Sequence, residues 1–348
     1  MLNTQDHQQL RIKYSLRKNR MKIAIVGPGG STIIPPPGWG AVEILIFDSA
    51  TALKKLGHDV TIINDKDTSA MIQKANSENF DIVHIHYDDR VDMIPYLSCE
   101  NVAITNHFAY LEQPEYWAHQ QASHGGWGHI FSNIINSRAD ILCLSEGISS
   151  IYHRTSISKS RIHVIKNGVR TDLFRFSNSP KYPNKTIYLA KIDYRKRQHI
   201  FQDIESLYYA GNIADDRFNS KSDRYLGEWD KPTLYNNLTD YANLALLSDG
   251  EAHPLVCMEA LSAGLGIVIS EFATANLDTN LPFIDVIPEE KINDKDYVSK
   301  VLEDNRSKSI LIREKIKDYS NSFSWDNVVR DVYIPTYNRI INKSEVAQ

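Results

Sequence analysis

Residues 21–64 read MKIAIVGPGGSTIIPPPGWGAVEILIFDSATALKKLGHDVTIIN, and this stretch decides the fold. Residues 21–27 form a short β-branched apolar run closed by glycine, the pattern of a parallel strand covered on both faces. A proline-rich loop follows, and residues 41–57 then carry apolar side chains at helical spacing and stop at Gly57. HDVTIIN (58–64) is a second apolar run. Strand, helix, strand without a hairpin signal implies a parallel, doubly wound sheet.

The alternation continues outward. FDIVHIHY (80–87), NVAITNHF (101–108), ADILCLS (139–145) and RIHVIKNGV (161–169) read as four more strands. Around SNSPKYPNK (177–185) two prolines interrupt the pattern, which restarts in TIYLAKI (186–192), SLYYAGNI (206–213), DRYLGEW (223–229), ANLALLS (242–248), GIVIS (266–270) and FIDVIP (283–288). FSWDNVVRDVYIPTYNRII (323–341) reads as a closing amphipathic helix. The expected organisation is a basic arm over 1–20, a first α/β domain over 21–178, a second over 179–320, and a closing helical segment over 321–348. Two such domains place a ligand cleft between the carboxyl ends of their strands.

Composition sets the outer limits. A length of 348 residues suits about two domains. A net charge of -4 argues against general nucleic-acid binding, which needs a basic face. Cys99, Cys143 and Cys257 have neither metal spacing nor an even count, which fits a reducing cytoplasm. The first 20 residues hold Arg11, Lys13, Arg17, Lys18 and Arg20 against Asp6. No apolar run follows them, so they read as a disordered arm, or as a tether suited to peripheral contact with anionic lipid, and not as a signal peptide.

Several residues fall where the cleft should be. Gly27, Gly29 and Gly30 lack the third glycine of a dinucleotide fingerprint, because Thr32 stands in its place. Gly40, directly before a helix, leaves backbone N–H groups open to an anion. In SDGEAHPLVCMEAL (248–261) a strand ends in a polar turn and Pro254 suits the first position of a helix, so the dipole's positive end faces the cleft. Glu251 and Glu259 can each accept two hydroxyl hydrogen bonds from a sugar ring. Lys191, after a strand, and Lys196, at the start of the next helix, can neutralise a departing diphosphate. Arg195 and Arg197 read more as a solvated face. His107 ends a strand and can touch a sugar, whereas His84 and His86 alternate without a third ligand to complete a metal site. The loop-like segment from His119 to His129, with His124 and Trp127, reads as an acceptor-binding lid or as a surface loop, and Trp39 before Gly40 as an acceptor contact.

The Glu251-x7-Glu259 spacing followed by Ala260-Leu261-Ser262-Ala263-Gly264 resembles the signature of the family-4 retaining glycosyltransferases of GT-B fold, two Rossmann-like domains facing each other across a cleft. Gly38-Trp39-Gly40, Leu56-Gly57-His58-Asp59-Val60, Thr105-Asn106-His107 and Lys166-Asn167-Gly168-Val169 follow in that family's order, and Trp325 and Tyr337 fit its returning C-terminal helix. The resemblance implies a UDP- or GDP-sugar donor and no bound cofactor or metal, with 21–178 the acceptor-side domain, 179–320 the nucleotide-sugar-binding domain and 321–348 returning toward the first. It implies that Glu259 holds the ribose, Lys191 and Lys196 the diphosphate, Glu251 and His107 the transferred hexose, with Gly40, His253, Pro254, Leu255 and Val256 around the donor. The leaving phosphate would assist front-face attack with retention. The acceptor hydroxyl, on a sugar, lipid-linked, protein or small-molecule partner, is not specified by any motif. An epimerase or phosphorylase on the same fold, or a non-catalytic nucleotide-sugar binder, are the alternative readings. The chain departs from the family pattern at Ala252-His253-Pro254, at Arg170, at Arg197 and at Glu271–Asp278, where a glycine pair is usual.

Overall fold

A computed structural model describes residues 20–38, 40–113 and 126–346, the side chains of 344–346 excepted. Residues 1–19 of the basic arm, Trp39 and His124 lie outside the described residues. The first sheet has six strands: β1 (Lys22–Val26), β2 (Asp59–Ile63), β3 (Ile82–Ile85), β4 (Val102–Asn106), β5 (Asp140–Cys143) and β6 (Ile162–Val164), in the order β2-β1-β3-β4-β5-β6. The second has five: β7 (Tyr182–Leu189), β8 (Leu207–Ala210), β9 (Tyr241–Leu246), β10 (Gly266–Ser270) and β11 (Ile284–Ile287), in the order β11-β10-β9-β7-β8. Every pairing between these strands is parallel. The apolar runs follow from that: β3, β4, β5, β9 and β10 are buried along their whole length, as strands covered by helices on both faces must be.

Each sheet has its own core. The second takes in Val169 and Phe174 ahead of its first strand and ends at Phe323; the first regains the chain at Trp325, with Val328, Val329, Tyr333, Tyr337 and Ile340. Gly168 makes the crossing feasible, because a Cβ there would sit 2.5 Å from the Trp325 ring. The returning segment is helical at Trp325–Val328 and Ile334–Val346, with a π-turn over Val329–Tyr333. Pro335, which has no N–H to offer Asp331, accounts for the displaced hydrogen-bond register. Among the described residues no helix is long and apolar enough to cross a membrane. All three cysteines are free thiols.

Three expectations are corrected here. DRYLGEW forms no strand; only an isolated bridge joins Tyr225 to Tyr209. The strand expected at 186–192 starts at Tyr182 and ends at Leu189, running through Pro183 although it is central in its sheet. The register against β9 shifts between Tyr182 and Thr186, so the proline falls in an irregularity where no ladder N–H is required. Pro254 is the cap, not the first residue, of the helix Leu255–Ser262.

Candidate active site

Strand order decides where the second-domain loops meet. β7 lies between β8 and β9, so the chain leaves it in opposite directions, and the loops after β7 and β9 face each other at the switch point. Tyr188, at the end of β7, joins them: its buried hydroxyl donates to the Lys196 carbonyl and accepts from the Leu247 N–H at 2.8 Å. The Asp249 N–H donates to the Arg195 carbonyl at 3.0 Å. The result is an ion pair of Lys196 with Glu251, whose side chains are only 12% and 11% exposed. Burial alone would raise the Glu251 carboxyl, but Lys196 and Arg195 outweigh it and hold it below the usual range.

A cavity of about 520 Å³ opens onto this pair. Gly40, Ala41 and Ile44 line it from the first domain, and Lys191, Lys196, Glu251, His253 and Glu259 from the second. Pro254, Leu255 and Val256, at the start of the helix Leu255–Ser262, complete that wall. Gly40 is the N-cap of the helix Ala41–Lys55, and a Cβ there would lie 2.9 Å from Glu43 Oε2 and 3.1 Å from Pro36. Glu259 is 9% exposed, and burial raises its carboxyl although Lys231 Nζ lies 3.8 Å away. His253 Nδ1 accepts the Asn167 N–H at 3.0 Å, so Nε2 carries the ring proton. That Nε2 is buried and meets no hydrogen-bond acceptor among the described residues.

A second cavity, of about 460 Å³, lies at the carboxyl ends of β3 and β4, lined by His86, Asp88, His107, Trp127 and Arg195 among others. Arg195 lines both cavities. Across the cleft Tyr110 donates its hydroxyl to Asp249 Oδ1 at 2.7 Å, and Gln113 donates its amide to the Asp249 carbonyl at 2.9 Å. Asn276 adds a contact from its amide to the Leu144 carbonyl. It adopts φ 59°, the left-handed conformation that glycine usually supplies, in the segment where the family's glycine pair is missing.

Burial depresses the histidines. His84 falls to about 3, His107 to about 4 and His253 to about 3, while His86 falls well below its ordinary value. His84 bonds Tyr337 at 2.7 Å and Thr105 at 2.6 Å, which occupies both ring nitrogens and removes it from metal chemistry. Among the described residues no three His, Cys, Asp or Glu side chains could hold a metal ion. Because the folded values lie below the unfolded one near 6.5, the stability these neutral rings carry is complete above pH 6.5 and lost as pH falls toward 4. An imidazole ¹⁵N titration should therefore find these four rings still neutral at about pH 5. Any of them protonating near 6.5 contradicts this burial.

Most residues singled out in the sequence meet in one cavity, with specific exceptions. His107 lines the first-domain cavity and not the one around Glu251. Trp127 is no lid tip: it opens the helix Trp127–Asn136, is 3% exposed and stacks on Phe108 at 4.3 Å. Lys196 ends a single 3₁₀ turn, Tyr194–Lys196, capped by Asp193, and does not begin an α-helix. Sequence reasoning passed over Lys231 and Asp88, and read Arg195 more as part of a solvated face. Asp88 was within reach, since it follows a strand's carboxyl end as His107 does.

Comparison with known proteins bears on this geometry. Residues 66–173 match the model of Glycosyltransferase Family 4, entirely within the first-sheet half of the chain. The chain has the GT-B fold of two parallel-sheet domains. It is similar to Anabaena HepE in complex with UDP and glucose, with 14% identity and a TM-score of 0.63 over 94% of this chain and all of that one. It is also similar to sucrose-phosphate synthase from Thermosynechococcus elongatus (12% identity, TM-score 0.68, covering 94% of this chain and 100% of the other). The lipopolysaccharide outer core galactosyltransferase WaaB, in its apo form, gives 16% identity and a TM-score of 0.65 over 93% of this chain and 100% of its own. No curated protein sequence matches the chain significantly.

Proposed function

We propose that this protein is a glycosyltransferase that moves a hexose from a UDP- or GDP-sugar to a hydroxyl acceptor, with retention and without a metal. The observation that carries the reading is one cavity, at a switch point and open to both domains, that gathers a buried carboxylate, Glu259, with Lys191 and the Lys196–Glu251 pair. Glu259 is the ribose ligand: a carboxylate kept from water gains most from two donated hydroxyl bonds. Lys191, exposed and without an ion pair among the described residues, receives the diphosphate first. Lys196 then exchanges part of its bond to Glu251 for a phosphate oxygen, which frees Glu251 for sugar hydroxyls. The His253 Nε2–H adds a neutral donor on the same wall. These groups and the N-terminus of the helix Leu255–Ser262 supply the positive field that the leaving diphosphate needs. Anabaena HepE, solved with UDP and glucose, makes UDP-glucose the first donor to try.

A thermal-shift panel of nucleotide sugars in excess EDTA tests this reading. One UDP- or GDP-hexose is expected to raise the melting temperature by several degrees, with or without chelator. Stabilisation that vanishes with EDTA, or no response to any nucleotide, rules the reading out.

A further inference from the structure

The two residues ahead of Glu251 face the first domain. Asp249 accepts the Tyr110 hydroxyl on its side chain and the Gln113 amide on its carbonyl, and Tyr110 and Gln113 are both buried, so water does not compete for these bonds. Gly250 lets the tyrosine approach: a Cβ there would lie 2.6 Å from the Tyr110 ring and 3.0 Å from Gln113 Oε1. Tyr110 belongs to the segment after β4, in the first domain, whereas Asp249 and Gly250 follow β9 in the second. The chain crosses between the domains before Val169 and again after Phe323, and the Val169 N–H donates to the Phe323 carbonyl at 2.8 Å, which ties the two crossings together. A rotation about these crossings that parts the domains pulls Tyr110 off Asp249.

Charge shows what this contact protects. Asp249 and Glu251 flank Gly250, and both act on Arg195: burial opposes its charge, yet Glu251, Asp193, Tyr110 and Asp249 together raise its pKa. Arg195 is in turn one of the two cations, after Lys196, that hold the Glu251 carboxyl down. Burial raises the Asp249 carboxyl, and the Tyr110 hydroxyl is the largest influence against it, ahead of Arg197 and Arg195. A half-buried carboxylate that loses its best donor turns to a neighbouring cation. Arg197 already gives two guanidinium N–H groups to Glu289, at 2.9 and 2.7 Å. Arg195 gives one to the Gly250 carbonyl at 3.1 Å, directly beside Asp249. Without the Tyr110 hydroxyl, Asp249 therefore competes with Glu251 for Arg195.

Resting on the reading of the chain as a nucleotide-sugar transferase, we propose that Tyr110 is a positioning residue that acts across the domain boundary: it holds Asp249 off Arg195, leaves Arg195 to Glu251, and so sets the ligand of the transferred sugar when the two domains close. The nucleotide end of the site does not depend on this contact. Lys191 follows β7 and Glu259 lies in the helix Leu255–Ser262, so both stand on the second domain whether or not the first is closed over it. Tyr110 thus affects the sugar and not the nucleotide.

The test uses the full chain and needs no acceptor. Calorimetry measures the affinity for whichever UDP- or GDP-hexose stabilises the wild type in the panel above, and for the bare nucleotide beside it. Tyr110→Phe keeps the ring and removes only the hydroxyl; it should weaken the nucleotide sugar about tenfold and leave the nucleotide unchanged. Adding Asp249→Asn to that variant removes the competing charge and should restore most of the tenfold loss. Gly250→Ala places a methyl against the Tyr110 ring; it should weaken the nucleotide sugar at least as much and raise the radius of gyration of the bound protein in X-ray scattering. A tyrosine with a merely structural role would lower the melting temperature and weaken both ligands alike. That result, unchanged affinity for both ligands in Tyr110→Phe, no recovery in the double variant, or a Gly250→Ala chain as compact as the wild type overturns the proposal. A wild type that binds none of the nucleotide sugars fails as a nucleotide-sugar enzyme; one that binds them but gives any of the overturning results fails only at Tyr110.

Discussion

Glu259→Gln is expected to weaken nucleotide binding about 100-fold and, at the same time, to raise the melting temperature. The two effects have one cause. Burial raises the Glu259 carboxyl above its ordinary value, and Lys231 at 3.8 Å compensates only in part. A carboxyl whose folded pKa is raised carries stability that is complete below the unfolded value and lost as pH rises through the folded one. At neutral pH the ionised form therefore costs stability, and a neutral amide of the same shape removes that cost. The affinity is lost because two hydroxyl hydrogen bonds to a charged acceptor, at about 2 kcal/mol each, weaken together. A carboxylate with a merely structural role would do the reverse, losing stability and leaving binding intact. Calorimetry with UDP and GDP, beside a melting curve at pH 7, distinguishes the two outcomes.

Lys196→Ala should have the other large effect, with the opposite sign on stability. Removing one partner of a buried ion pair typically costs about 3–5 kcal/mol, because the remaining charge stays buried. Here Arg195 would be the cation left to Glu251, beside the Ser248 hydroxyl. The double variant Lys196→Met with Glu251→Leu should recover most of that stability, since it leaves no charge behind. On the proposed function it should recover no transfer activity, because it removes both the proposed phosphate cation and the proposed sugar ligand. Denaturant unfolding of the two single variants and the double variant measures the coupling. Additive losses would mean that the pair carries no joint energy, and transfer by the double variant would remove both residues from the site.

What could be read in advance follows a physical division. Strands such as β3 and β9 were legible because a parallel strand covered on both faces must be apolar throughout, and that is a local property. β7 was placed too late because Pro183 hides its first residues, and only the register irregularity against β9 makes a proline acceptable there. DRYLGEW was misread because aromatic content suggests a strand, whereas Tyr225 is packed by tertiary contact with a single bridge. In the site, the Glu251–Glu259 spacing and Lys191 were legible as residue types placed after strands. The pairing of Lys196 with Glu251 was not, since it depends on β7 lying beside β9, and strand order is not encoded locally. Arg195 looked like part of a solvated basic run, yet the fold half-buries it near Tyr110, where it lines two cavities. The segment Glu271–Asp278 lacks the glycine pair of the family it resembles, and Asn276 there adopts a left-handed backbone, which glycine usually supplies.

The central claim is that a nucleotide diphosphate binds between the two domains, on Lys191, Lys196 and Glu259. Calorimetric titration of UDP and of GDP into the wild-type chain and into Lys191→Ala and Glu259→Gln tests it most directly. One of the two nucleotides should bind the wild type at micromolar concentration, about tenfold more weakly in Lys191→Ala and about 100-fold more weakly in Glu259→Gln. Unchanged affinity for both nucleotides in both variants would contradict the site.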